Sequence, residues 1–362
     1  MNARERVDIA LRHKTPDRIP IDYQAKKLID AKLKSYYGVN TEKELLDILG
    51  CDFYYLSARD ISQNETSFPI YKGPKLEMTE DERVCPFGIR FKRDVRDDKF
   101  GADETIKGPL ESATTSADIL NYKWPDPNDF DFDLLIEESE EYRDRVIIGG
   151  FWSGILGDSY RMFGFENFLI NLAINPEIIK TLVNKMTDFY LELNDRFFQA
   201  MKGKMDIFFF GNDFGSQNGL LFSKEQWDDI FLENYKKLAD LAKSYNYKVM
   251  AHSCGSIVSL LDRFIEVGID ILDPVQTTAA GMDPKILKER FGDNIVFHGA
   301  IDTQKILPFG TPDEVKKHVE DTINVLGKDG GYIMVSCNSI QDDTPVENID
   351  AMYKTAREFK LR

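Results

Sequence analysis

The stretch Ile207-Phe208-Phe209-Phe210-Gly211, running directly into Asn212-Asp213-Phe214-Gly215, decides the fold. Four consecutive large apolar side chains put apolar groups on both faces of a strand, and a strand buried on both faces belongs to a parallel sheet covered by helices. Working outward, similar short runs occur at 18–22, 52–56, 146–150, 248–252, 270–273, 295–299 and 331–335. Between them lie helical patterns with apolar residues three and four apart, clearest over 177–201, 224–244 and 313–326. Ser223 and Thr311 are the expected N-caps, with Pro312 in a first turn. Eight strands alternating with helices predict an α/β fold, a closed (β/α)8 TIM-type barrel spanning 1–362 as one domain. An open doubly wound sheet is the rival, but the first strand–helix junction lacks the Gly-rich phosphate fingerprint.

One segment breaks the alternation. Residues 60–131 carry no long helical pattern, and Cys85-Pro86-Phe87-Gly88-Ile89-Arg90-Phe91 reads as strand and turn. This is expected to be a β-rich insertion after the second strand. It could serve as a lid or binding loop, or simply cover the rim or build a homodimer contact.

The 362 residues include 46 basic and 62 acidic side chains, a net charge of -16. Such a field repels nucleic acid, and the pairs Lys26-Lys27, Lys236-Lys237 and Lys316-Lys317 sit among acids as solvated helix faces. No run approaches the ~20 apolar residues of a membrane helix. The N-terminus reads as an amphipathic helix rather than a secretory segment, so a cytoplasmic protein is expected. Cys51, Cys85, Cys254 and Cys337 are too few and too scattered for a disulfide framework.

In a barrel of this kind, chemistry sits at the C-terminal ends of the strands. The fifth strand ends Ala251-His252-Ser253-Cys254-Gly255, and the two-residue period puts His252 and Cys254 on one side. The eighth ends Val335-Ser336-Cys337-Asn338. An imidazole and two thiols at one rim could form a three-ligand zinc site with an open position; equally, free cysteines are often buried small apolar residues. Other rim candidates are Asn212, Asp213, Gln217 and Asn218 after the fourth strand, Asp273 and Gln276 after the sixth, and Asp302 after the seventh. The polar loop after the fourth strand could also just cap the next helix. His298 is expected to be a core or outer-layer histidine, and His13 and His318 to be surface residues of helices. Cys51 and Cys85 are expected to be structural.

These residues resemble the uroporphyrinogen decarboxylase superfamily over nearly the whole chain. The likeness is carried by Arg4-Glu5-Arg6 through Pro16-Asp17-Arg18-Ile19-Pro20, by 211–217, and by Gly330-Gly331-Tyr332-Ile333 through Thr344-Pro345-Val346-Glu347-Asn348-Ile349. It implies a (β/α)8 barrel. The decarboxylase branch holds its porphyrinogen with N-terminal arginines and an Asp. Here no Arg lies between Arg18 and Arg59, so Asp60 lacks that context. The other branch, the zinc-dependent methylcobamide:coenzyme M methyltransferases, carries His-x-Cys and a later Cys, matched by His252, Cys254 and Cys337. That resemblance implies zinc on these three residues and methyl transfer between a corrinoid (methylcobalamin or a corrinoid carrier protein) and a thiol or tetrahydrofolate-like acceptor. Asp213, Gln217 and Gln276 would orient the acceptor or support the ligands. Porphyrinogen decarboxylation is the alternative, and a catalytically silent partner of a corrinoid protein is the third reading.

Overall fold

In the computed structural model, residues 1–57, 70–79, 81–92 and 104–361 are described. Seven parallel strands form one sheet: β1 (Phe53–Tyr55), then, beyond the insertion, β5 (Val146–Gly149), β6 (Ile207–Gly211), β7 (Lys248–His252), β8 (Ile271–Val275), β9 (Val296–Ile301) and β10 (Tyr332–Ser336). The insertion contributes β2 (Glu82–Val84), β3 (Arg90–Lys92) and β4 (Glu104–Lys107), an antiparallel sheet of its own. The TIM-type architecture and the β-rich insertion after the second strand are as the sequence predicts.

The first predicted strand, 18–22, is reduced to a bridge. Ile21 pairs with Met334, Asp22 N–H donates to Met334 O, and Asp52 N–H donates to Ile21 O. This short segment closes the ring between β10 and β1. Pro20 explains its brevity: it accepts from Met334 N–H at 2.9 Å but has no N–H to continue a ladder.

The strands divide their side chains by parity. Phe53, Val146, Ile148, Ile207, Phe209, Met250, Ile271, Val296 and Ile333 form a cluster inside the barrel. Val7 and Leu11 of the N-terminal helix Ala3–Leu11 join it from the N-terminal end of the strands. The intervening residues, such as Phe208, Phe210, Val249, Leu272 and Phe297, belong to the larger core between strands and helices. This two-sided burial produces the unbroken apolar runs of the sequence.

Helices Pro176–Ala200 and Pro312–Leu326 lie where expected. The predicted 224–244 helix is two, Lys224–Ile230 and Leu232–Ser244, broken at Phe231. The described part of the insertion is anchored to the barrel: Phe87 packs edge-on against Phe189 and Tyr190 of helix Pro176–Ala200. Arg59 and Asp60 lie outside the described residues. His13 and His318 are half-buried instead of fully exposed. His13 follows the first helix at φ 53°, and His318 accepts a hydrogen bond from Asp302 N–H at 3.3 Å. No helix among the described residues is long and apolar enough to cross a membrane.

Candidate metal centre at the barrel mouth

Above the apolar cluster the same parity delivers polar groups. Two residues beyond Met250, Ile271 and Val296 come His252, Asp273 and His298, all on the inner face near the C-terminal rim. Register places Gly211 beside His252 and His252 beside Asp273. Gly211 has no side chain because Trp152 occupies that space, its ring centroid 5.1 Å from that of His252.

Beyond β7 the chain stays extended to Cys254, then turns at Gly255 with φ +85°. A Cβ there would lie 2.6 Å from the backbone of Gly215, so only glycine fits. The following helix begins at Leu261 after a single 3-10 turn. Cys254 lies on the same side as His252, with Sγ 3.3 Å from Nε2. Asp213, at the end of β6, completes the group. Its Oδ1 accepts from Cys254 N–H at 2.9 Å and lies 3.4 Å from His252 Nε2. One donor atom from each of Asp213, His252 and Cys254 falls within 4.8 Å of the others.

Cys337 stands at the end of β10, 2 % exposed, with Sγ 3.4 Å from Thr303 Oγ1; it is not in that tight trio. Its neighbour Asn338 bridges the gap, Nδ2 donating to Cys254 Sγ at 3.7 Å. Burial pushes the Cys337 thiol up, Thr303 works the other way, and the nearby Cys254 sulfur adds to the rise.

Gln217 and Gln276 are together but one layer outward. Gln276 Oε1 accepts from Gly255 N–H at 2.8 Å, its amide donates to Gln217 Oε1, and Gln217 donates to Thr278 O. Asn212 is structural, accepting from Leu156 N–H while donating to Ser153 O and Tyr235 Oη. Asp302 caps a turn through Gln304 N–H. Cys51 and Cys85 are buried and free.

Beneath His252 runs a buried chain of charge. Its Nδ1 lies 2.6 Å from Asp273 Oδ2, and Asp273 Oδ1 lies 2.6 Å from His298 Nδ1. His298 Nε2 reaches Asp22 Oδ2 at 2.9 Å, where Tyr55 Oη also donates at 2.7 Å. Burial opposes protonation of His298, but Asp273 and Asp22 outweigh it and lift its pKa to about 9. Burial would raise the Asp273 carboxyl; His298 and His252 instead hold it well below the usual range. His252 is likewise raised well above an ordinary imidazole. Its burial is overcome by the neighbouring Cys254 sulfur and by hydrogen bonds to Asp213, Asp273 and Cys254.

The donor set fits zinc: one imidazole nitrogen, soft sulfur and a carboxylate, with the second imidazole nitrogen engaged by a carboxylate. Sequence reasoning passed over Asp22, Tyr55 and Trp152. A charged residue directly after Ile19-Pro20-Ile21, in a segment otherwise buried, was the available signal for Asp22.

Comparison with known proteins agrees with this architecture. Over 134 residues (36 % of each chain) the sequence is 30 % identical to a uroporphyrinogen decarboxylase from Trichodesmium erythraeum (strain IMS101). Over 198 residues it is 25 % identical to a methylated-thiol–coenzyme M methyltransferase from Methanosarcina mazei, covering 55 % of this chain and 49 % of that one. The chain thus spans about a third to a half of the lengths of these curated relatives. A solved methyltransferase structure from Methanosarcina mazei superimposes with a TM-score of 0.67 over 99 % of both chains at 17 % identity, a likeness of fold. Residues 107–359, well over half of the sequence, match the profile described as uroporphyrinogen decarboxylase (URO-D), so the chain belongs to the uroporphyrinogen decarboxylase family.

Proposed function

We propose that this chain is a methyltransferase that moves a methyl group between a corrinoid and a thiol or tetrahydrofolate-like acceptor at the barrel mouth. The observation that carries the reading is the convergence of Asp213, His252 and Cys254 within 4.8 Å, with Cys337 at the end of β10 and its neighbour Asn338 reaching the Cys254 sulfur. His252, Cys254 and Cys337 would hold zinc, with Asp213 beside the remaining position. Zinc bound there would supply the charge that keeps a thiol substrate as thiolate at neutral pH while leaving its sulfur nucleophilic.

The protein's own share of the chemistry is positioning. Asp273 accepts the His252 Nδ1 proton and leaves Nε2 facing Cys254 and Asp213. Asn338 donates toward the Cys254 sulfur. Trp152 and Phe209 wall one side of His252 with aromatic surface, keeping water off that face. The Gln217–Gln276 pair offers amides where the acceptor would lie. With a thiol as acceptor, the corrinoid would supply an electrophilic methyl carbon and take back the Co–C electron pair, while Gln217 and Gln276 would hold the acceptor sulfur toward it. Such a step needs both centres held in a near-attack arrangement. The corrinoid would arrive on a separate carrier protein. The free state of all four cysteines suits a reducing cytoplasm.

Porphyrinogen decarboxylation is less well supported. Arg4, Arg6 and Arg18, which could clamp substrate carboxylates, are paired with Asp206, Asp17 and Asp52 at the N-terminal ends of the strands. Elemental analysis of the purified chain should find about one zinc per molecule, as a single tetrahedral site demands. A thiol screen with methylcobalamin, followed by absorbance, should show demethylated corrinoid, and Cys254→Ser and Cys337→Ser should abolish it. Full transfer by either variant without metal, or metal-free decarboxylation of uroporphyrinogen by the wild type, would overturn the proposal.

A further inference from the structure

The buried histidine beneath the mouth does more than fill the core. We infer that Asp22, His298 and Asp273 form a positioning relay that fixes the tautomer and direction of His252 for metal binding. The inference rests on the functional reading above and concerns residues that make no contact with the metal or the substrate.

Geometry defines the proton positions. Each nitrogen of His298 faces a carboxylate oxygen, at 2.6 Å for Asp273 and 2.9 Å for Asp22. Carboxylates only accept, so His298 donates from both nitrogens and carries a positive charge. Asp273 divides its oxygens between two imidazoles: Oδ1 accepts from His298 and Oδ2 from His252 Nδ1 at 2.6 Å. With Nδ1–H committed downward, His252 can present only an unprotonated Nε2 upward as a metal donor. All three relay side chains are buried, at 1–2 % exposure, so water cannot substitute for a lost partner. Asp22 is pinned in turn. Tyr55 Oη donates to its Oδ2, Gln24 Nε2 donates to Tyr55 Oη, and Tyr353 Oη donates to its backbone carbonyl.

The charges have the same direction. Two carboxylates and one imidazolium leave one net negative charge against the lower edge of His252. That charge strengthens Nε2 as a donor to a cation above it. Four separate parts of the chain, around residues 22, 252, 273 and 298, contribute to this one alignment. A histidine needed only for packing would not require two carboxylates.

Asp273→Asn is the sharpest test. An asparagine offers one acceptor and one donor where two imidazoles both donate, so one ring must change tautomer or turn away. If that ring is His252, its Nε2 gains a proton and ceases to be a ligand. The full-length chain, stripped with a chelator, would be titrated with Zn(II) against a chromophoric competitor, and with Co(II) for its visible d–d bands. Asp273→Asn should weaken zinc roughly 10- to 100-fold and shift the cobalt bands. His298→Gln, which leaves the Asp273–His252 contact in place but removes the positive charge, should weaken zinc less. Thermal melting of the metal-free variants separates this role from a purely structural one, because a structural role lowers the melting temperature without moving zinc affinity in the folded protein. Zinc binding by both variants as tight as wild type, with unchanged cobalt bands, overturns the relay alone. A wild-type chain that takes up neither metal overturns the functional reading and the relay together.

Discussion

A methyl group placed on Gly211 would lie within 2.7 Å of His252 Cβ and run into the Trp152 ring. Gly211→Ala should therefore displace Trp152 and cost about 1–3 kcal/mol, the usual range for overpacking a filled site. Urea unfolding would measure it, and an unchanged midpoint would show that the ring moves aside freely. His298 gives a second expectation, one of pH. Its folded pKa of about 9 lies above the ordinary 6.5, so the native state binds this proton more tightly than the unfolded chain. The stabilisation is complete below pH 6.5 and is lost as pH rises through about 9. The urea midpoint of the metal-free chain should fall over that window, and the fall should flatten in His298→Gln. Much of this site was legible at the level of single residues. His252, Cys254, Asp213, Gln217 and Gln276 follow from the rule that barrel chemistry sits at strand ends. Trp152 and Tyr55 were not legible, because an aromatic residue near a strand end looks like any other core aromatic until the ring beside it is known.

At the scale of elements, local signals and tertiary packing part company. Thr311 begins its helix as expected: its Oγ1 accepts from Glu314 N–H, and the Glu314 carboxylate accepts from Thr311 N–H at 2.7 Å. This reciprocal pair is written in the sequence as Thr-x-x-Glu. Thr311→Ala should cost about 1 kcal/mol, read as a lowered denaturant midpoint with unchanged m-value, since only the helix start is affected. The break at Phe231 had no such local mark. Apolar periodicity continues across it, and at the break the Phe231 ring lies 5.1 Å from Phe214 and is stacked 5.7 Å from Phe222. The shortened first strand was half-legible: Pro20 stands in plain view, but its effect depends on which partner strand needs an N–H there.

The ring as a whole is sealed by one carboxylate. Asp52, 2 % exposed in its side chain, accepts from Arg6 Nη1 at 2.7 Å, from Arg18 Nη1 at 2.8 Å and from Ile21 N–H at 2.9 Å. Its own N–H donates to Ile21 O, and its carbonyl accepts from Val146 N–H. Asp52 therefore joins the closing segment, β1 and two arginines at the N-terminal end, opposite the metal centre. Asp52→Ala would strip both arginines of this partner. Arg6 would keep Asp17, but among the described residues Arg18 would keep carbonyl acceptors alone, those of Ile19 and Gly50. Removing one member of a buried ion pair typically costs 3–5 kcal/mol, because the remaining charge stays desolvated. Asp52→Asn should cost less, since an amide oxygen can still accept from Ile21 N–H. Chemical denaturation would give both values, and zinc titration of the folded variants supplies the control. Asp52 touches none of the relay side chains but holds Ile21 directly before Asp22, so zinc affinity of the folded variants should change much less than in Asp273→Asn. An Asp52→Ala chain within 1 kcal/mol of wild type would mean that closure is held by the backbone bridges alone.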